Sequence, residues 1–330
     1  MLVTFWGVRG SYPIGRRDNI RYGGNSTCIQ IQAMGEDPLI MDGGSGIRVL
    51  GSSLLDGPCG KGQGVANILV GHTHWDHILG YPFFGPLYFA GNRLRFYSAG
   101  QSEAELPRIL EGQHEDLHFP VPFGELRAEM GFERIRPGER FSIGGYTVQT
   151  VQLNHPGITL GYRVEHNDAA VVIFTDTARI AHVQQGDGMD QAVEADGLEA
   201  FQTSFHQSLV DLCQGADLLV HDSHFLEDEI VGKEHWGHST ARDALALAQE
   251  ARVRHLMLFH HAPEHSDVEV DRKLADTRQA ARGSGVQVSA AREGMAVELS
   301  EGKNNPNARG GVDGTQPLRS PGRDSGGEKC

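Results

Sequence analysis

The chain has 330 residues, enough for one large domain with a substantial core. With 39% hydrophobic and 22% charged residues it reads as a globular sequence, and no run approaches the roughly 18 uninterrupted apolar residues of a membrane-spanning helix. A net charge of −14 argues against a partner as anionic as long nucleic acid, and the four cysteines (Cys28, Cys59, Cys213, Cys330) form no CxxC pair and no disulfide framework.

In chain order, short apolar and alternating runs bounded by turn residues predict strands at 2–6, 28–32, 38–41, 67–70 and 93–97. Helices are predicted between them at 47–55 and 104–111. Strands follow at 146–153, 159–165 and 169–174, then a helix at 197–214. The last third alternates: strand 217–220, helix 240–252, strand 255–259, helix 268–283 and strand 296–299. In the 240–252 helix Ala241, Ala244, Leu245 and Ala248 recur at helical spacing, with Ser239 placed to cap. This order predicts an α/β protein, two sheets packed face to face with helices outside.

From 301 to 330 large apolar residues almost vanish, so the segment cannot offset its ordering entropy by burial. We expect a folded body over 1–300 and a disordered tail over 301–330. The tail carries five basic and four acidic side chains, which leaves the body at about −15 and supplies no basic arm. The opening Met1-Leu2-Val3-Thr4-Phe5-Trp6 lacks a basic region and a cleavage site, so the expected compartment is cytoplasmic.

The 17 histidines are the compositional outlier. Gly71-His72-Thr73-His74-Trp75-Asp76-His77 directly follows a predicted strand, and its imidazoles and carboxylate are ligands for zinc and similar ions. His72 and His74 can share one side as the chain leaves the strand, while Asp76 and His77 start a turn and can face a second ion. Further candidates each follow a strand: His155 in Leu-Asn-His-Pro-Gly, Asp176 in Phe-Thr-Asp-Thr and His260 in Leu-Phe-His-His-Ala-Pro.

His-x-His-x-Asp-His followed by an isolated His, an Asp and a final His resembles the metallo-β-lactamase superfamily. That resemblance, over about residues 1–300, implies an αββα sandwich of two mixed sheets with outer helices and a two-metal site at one sheet edge. Carried over position by position, it implies that His72, His74 and His155 hold one ion. Asp76, His77 and His260 would hold the other, with Asp176 bridging both. His260 is preferred to His261 because the family's last ligand lies nearest its strand end. Two further stretches are similar to ribonuclease Z within the superfamily: 216–225, with His221-Asp222-Ser223-His224, and Gly237-His238-Ser239-Thr240. They imply a carboxylate–histidine dyad, Asp222 with His238, in which aspartate stands where ribonuclease Z has glutamate. Phe5-Trp6-Gly7-Val8-Arg9-Gly10-Ser11 and Arg21-Tyr22-Gly23-Gly24-Asn25 resemble instead a bacterial branch of phosphodiesterases. The long basic arm of tRNA-processing enzymes has no counterpart in 181–215, which contain neither Lys nor Arg.

Other motifs are set aside. His114-Glu115-Asp116-Leu117-His118 matches HExxH, but Gly112, Pro120 and Pro122 flank it, and the motif binds metal only on a helix. The superfamily resemblance implies that Met41-Asp42-Gly43-Gly44 is a turn supporting the metal loop, with Asp42 accepting a hydrogen bond from a ligand imidazole. Arg9 and Arg48 are each read as a structural ion pair rather than a phosphate ligand.

The resemblance therefore implies a binuclear metal-dependent phosphodiesterase with two divalent ions, zinc by preference and manganese or iron as alternatives. Asp76 would orient the nucleophile, and His238, held by Asp222, would protonate the leaving oxygen. The expected substrate is a small phosphodiester or nucleotide, such as a cyclic nucleotide. A homodimer is compatible with the sequence, and no membrane partner is expected. The alternatives are a tRNA 3′-end ribonuclease, a hydrolase of lactone, thioester or β-lactam bonds, and a non-enzymatic metal-binding protein.

Overall fold

The computed structural model describes residues 1–100, 102–179 and 195–300, so the predicted tail at 301–330 lies outside the described residues. One seven-stranded sheet contains β1 (Leu2–Gly7), β2 (Cys28–Gln32), β3 (Leu39–Met41), β4 (Val65–Val70), β5 (Arg93–Ser98), β6 (Glu129–Arg134) and β14 (Ala296–Glu298). Its order is β14-β1-β2-β3-β4-β5-β6, parallel from β3 to β6. The second contains β7 (Arg140–Ile143), β8 (Tyr146–Gln152), β9 (Leu160–His166), β10 (Ala169–Phe174), β11 (Leu218–Asp222), β12 (His255–Phe259) and β13 (Gln287–Ala290). Its order is β13-β12-β11-β10-β9-β8-β7, parallel from β10 to β13.

Strand alternation distributes the core. Val171 and Ile173 of β10 face the inner layer, where they join Phe5, Ile29, Ile31, Met41, Val220 and Phe259. Val172 and Phe174, one step out of phase, face the outer layer with Leu209, Leu245, Ala248 and Val270. Those four come from α4 (Ala195–Cys213), α5 (Ala241–Glu250) and α6 (Asp267–Ala280). The first sheet is covered on its outer face by α1 (Gly46–Leu55) and α3 (Glu105–Gly112), whose Ile47, Leu50, Leu106 and Leu110 meet Ile40, Ile68 and Phe96. The result is the expected αββα sandwich.

Three strands escaped the sequence patterns. β6 interrupts its apolar positions with Gly131 and carries Glu129, Glu133 and Arg134 on a sheet edge, while β7 and β13 have only four residues each. The turn expected after His74 is a short helix, α2 (Trp75–Ile78). At α5 the cap is Thr240 rather than Ser239: Thr240 and Asp243 form a reciprocal capping box, and Ser239 Oγ donates to the Thr177 carbonyl instead. No described helix is long and apolar enough to cross a membrane.

Candidate metal centre

The site forms where strands β3, β4, β8, β10, β11 and β12 end, the carboxyl edge at which open α/β sheets bind ligands. β3 delivers Asp42, β4 the His72–His77 loop, β8 His155, β10 Asp176, β11 Asp222 and β12 His260. The loop after β4 is clamped by the turn after β3. Gly71 N donates to Asp42 Oδ1 at 2.7 Å, and Gly43 N donates to the His77 carbonyl at 2.7 Å. Gly44 is required here, since a Cβ at that position would lie 2.3 Å from the Asp76 carbonyl oxygen.

All seven predicted ligand residues come together. His72, His74 and His155 form one group, and Asp76, His77, Asp176 and His260 a second; within each, the potential ligand atoms lie within 4.8 Å of one another. Asp176 divides its carboxylate between them. Its Oδ2 faces His155 Nε2 (3.8 Å) and His72 Nε2 (3.9 Å), while Oδ1 faces His77 Nε2 (3.1 Å) and His260 Nε2 (3.3 Å). Asp76 Oδ2 lies 3.2 Å from both His77 Nε2 and His260 Nε2, and accepts from Ser11 N at 2.7 Å.

The donor set fits divalent ions. Both ring nitrogens of His72, together with His77 Nε2 and Asp176 Oδ1, are buried without a hydrogen-bond partner, a costly state that metal coordination relieves. Outer partners also fix tautomers. His77 Nδ1 donates to Asp42 Oδ2 at 2.7 Å and His155 Nδ1 to the Gly237 carbonyl at 2.9 Å, so each leaves Nε2 turned to the centre. The expected support by Asp42 is thus seen in the contact geometry.

Charge reinforces this reading. Burial keeps His72 well below its usual pKa and brings His155 down to about 4, so both imidazoles are neutral and ready to ligate. Burial also penalises a charge on His77, but Asp176, Asp76 and Asp42 outweigh it and push its pKa well up. Burial raises the Asp176 carboxyl, yet the surrounding His260, His77 and His72 hold it far below the usual range.

Beside these groups stands the predicted dyad. His238 Nδ1 donates to Asp222 Oδ2 at 2.9 Å and lies 4.0 Å from Asp176 Oδ2. Burial opposes a charge on His238, but Asp222 and Asp176 prevail and raise its pKa. Aspartate makes this contact despite its shorter side chain, and Asp222 is itself clamped, accepting from Thr177 N (3.1 Å) and His224 N (2.9 Å).

Sequence reasoning missed two residues. His224 stacks on His238 with ring centroids 4.5 Å apart, and its Nδ1 donates to the His260 carbonyl at 3.3 Å. It lies inside the 216–225 stretch that resembles ribonuclease Z, but that resemblance gave a role only to Asp222. Lys273 of α6 is buried and donates to the carbonyls of Ser223 and His224, which steadies the loop after β11; burial brings its ammonium down to about 7.

Other expectations separate. His261 turns away and donates from Nε2 to the Ala291 carbonyl at 2.9 Å, so His260 is the member of the cluster. The HExxH segment makes turns, with His114 Nδ1 donating to the Val121 carbonyl and His118 exposed. Arg9 is not an ion pair: buried, it donates to the carbonyls of Gly23 (2.8 Å), Ala262 (3.1 Å) and His265 (2.8 Å). Backbone strain also gathers here. Ser11, Asp42 and His260 have φ of 61°, 60° and 56°, three of the five non-glycine residues with positive φ among those described.

Residues 40–261 match the family model described as a Beta-lactamase superfamily domain. The chain belongs to the metallo-β-lactamase superfamily. It is accordingly a hydrolase, and its fold family implies divalent metal ions. The curated protein named Ribonuclease Z from Methanosarcina acetivorans is 26% identical over 304 residues, covering 84% of this chain and 92% of that one. The Ribonuclease Z of Myxococcus xanthus is 29% identical over 267 residues, covering 73% and 83%. YhfI, a metallo-beta-lactamase fold protein from Bacillus subtilis, matches with a TM-score of 0.61 at 18% identity, covering 90% of this chain and 98% of that chain, a likeness of fold.

Proposed function

We propose that this superfamily member is a binuclear metal-dependent phosphodiesterase acting on a small phosphodiester, such as a cyclic nucleotide. The observation that carries the reading is the His238–Asp222 pair, 2.9 Å apart, beside the divided carboxylate of Asp176. Expulsion of an alkoxide from phosphorus needs a proton, and an imidazole with a raised pKa supplies it. His72, His74 and His155 would hold one ion and Asp76, His77 and His260 the other, with Asp176 shared. When bound, two divalent ions, zinc by preference with manganese or iron as alternatives, polarise a phosphoryl oxygen and lower the pKa of a water.

The chain's own groups do the rest. Asp222 holds the His238 ring with its Nδ1 hydrogen engaged, which leaves Nε2 to protonate the leaving oxygen. Asp76, kept ionised by His77 and His260 against the upward push of burial, accepts a hydrogen from the attacking water. The buried imidazoles exclude bulk solvent and strengthen these interactions.

A small substrate is favoured by the net charge of −14, which opposes the counterion-release term that drives binding of long nucleic acid. A second reading, an RNA 3′-end nuclease, is favoured by the relatives named Ribonuclease Z that match across most of the chain. The deciding experiment assays metal-loaded protein on a cyclic nucleotide, bis-(p-nitrophenyl) phosphate, a tRNA precursor, a lactone and a β-lactam. Turnover of the cyclic nucleotide with shallow salt dependence supports the proposal. Efficient cleavage confined to the tRNA precursor, falling steeply with salt, assigns the RNA reading instead.

A further inference from the structure

Of the clustered candidate ligands among the described residues, His74 alone is exposed, so the cluster meets solvent on the His74 side. Two exposed tryptophans are carried by segments that adjoin this cluster. Trp75 directly follows His74 and is 67% exposed. Trp236 is 51% exposed and ends the turn Glu234–Trp236. That turn leans on the centre through its next residue: the Gly237 carbonyl accepts from His155 Nδ1, and a Cβ on Gly237 would lie 2.3 Å from that nitrogen. His155 Nε2 in turn lies 3.1 Å from His74 Nδ1, so each tryptophan is one residue along the chain from a member of this contact chain, Trp75 from His74 and Trp236 from Gly237.

Exposed aromatics of this size beside a buried ionic centre offer a ligand a flat face on which to stack. The chain has three tryptophans, and the third, Trp6, is 8% exposed with Nε1 donating to Gln30. A cation completes the rim: Lys233 Nζ lies 5.2 Å from the Phe225 ring centroid and 5.5 Å from that of Trp236. A flat π-system joined to a phosphate matches indole faces next to a phosphodiester centre, and base–aromatic stacking serves any base.

We propose that Trp75 and Trp236 form a nucleobase platform, so that the substrate is a base-bearing nucleotide diester. The inference rests on the phosphodiesterase reading and deepens it. The test titrates the zinc-loaded protein with adenosine 5′-monophosphate, ribose 5-phosphate and octyl phosphate, reading tryptophan fluorescence and, in parallel, heat of binding. The nucleotide should bind about tenfold more tightly than ribose 5-phosphate and quench the indoles. Trp75→Leu and Trp236→Leu should each lose most of that preference while keeping zinc content and ribose 5-phosphate affinity. Equal affinity for nucleotide and ribose phosphate overturns the platform and leaves the phosphodiesterase reading standing. Octyl phosphate binding as tightly as the nucleotide also overturns it, since the surface would then be merely apolar. Binding of none of the three overturns both.

Discussion

Asp42 Oδ2 stands 2.7 Å from His77 Nδ1, with both side chains fully buried, and the other oxygen of Asp42 accepts from Gly71 N. One carboxylate therefore fixes the tautomer of one candidate ligand and the start of the loop that carries three others, His72, His74 and Asp76. Its φ of 60° shows that the backbone is held in the left-handed region to make both contacts.

Asp42→Asn should fold but bind metal about 10–100-fold more weakly, the usual scale for losing a ligand's outer partner. Competition against a chromophoric chelator measures this. Affinity equal to that of the unmodified protein would make the Asp42–His77 contact irrelevant to metal.

Asp176→Ala should lower the metal content from about two ions per chain, because each oxygen of Asp176 faces a different group of histidines. Elemental analysis after metal loading and desalting reads the result. A content that stays at two would remove Asp176 from the shared position.

His238→Ala should keep both ions, since its Nδ1 is engaged by Asp222, yet slow cleavage of an alkyl phosphodiester by roughly 10²-fold or more. The defect should shrink for a nitrophenyl ester, whose leaving group departs without a proton. Equal losses on both substrates would mark His238 as a phosphate-binding group rather than an acid.

His255 gives a pH prediction away from the metal centre. Burial, aided by the charge of Arg278, brings its pKa down to about 4, and Nε2 lies 3.0 Å from Ser289 Oγ. The unfolded chain, with its ordinary value near 6.5, takes up the proton first as pH falls. Stability is therefore lost between about pH 6.5 and 4, by up to roughly 3 kcal/mol from this residue. His255→Gln should flatten that part of the stability–pH curve in denaturant titrations; an unchanged slope would mean that His255 is not buried neutral.

The His72–His77 run was legible because its chemistry is local: six consecutive residues after an apolar strand specify ligand types and spacing without any partner. The strand cores were legible for the same reason, since β2, β10 and β12 carry uninterrupted or alternating apolar residues that match their observed bounds. Asp42 could be anticipated only through the superfamily resemblance, which places the Met41–Gly44 turn beneath the metal loop.

What the tertiary structure alone decided were the long-range choices. His260 and His261 are adjacent and chemically identical, and only the left-handed φ of 56° at His260 and the Ala291 carbonyl that holds His261 settle which ring faces Asp76 and Asp176. His224 and Lys273 lie in separate elements, and neither has a local pattern that marks it, so their places beside His238 and behind Asp222 emerge only when β11, β12 and α6 pack. Periodicity records which face of an element is apolar, but not which distant residue will meet a polar side chain across the fold.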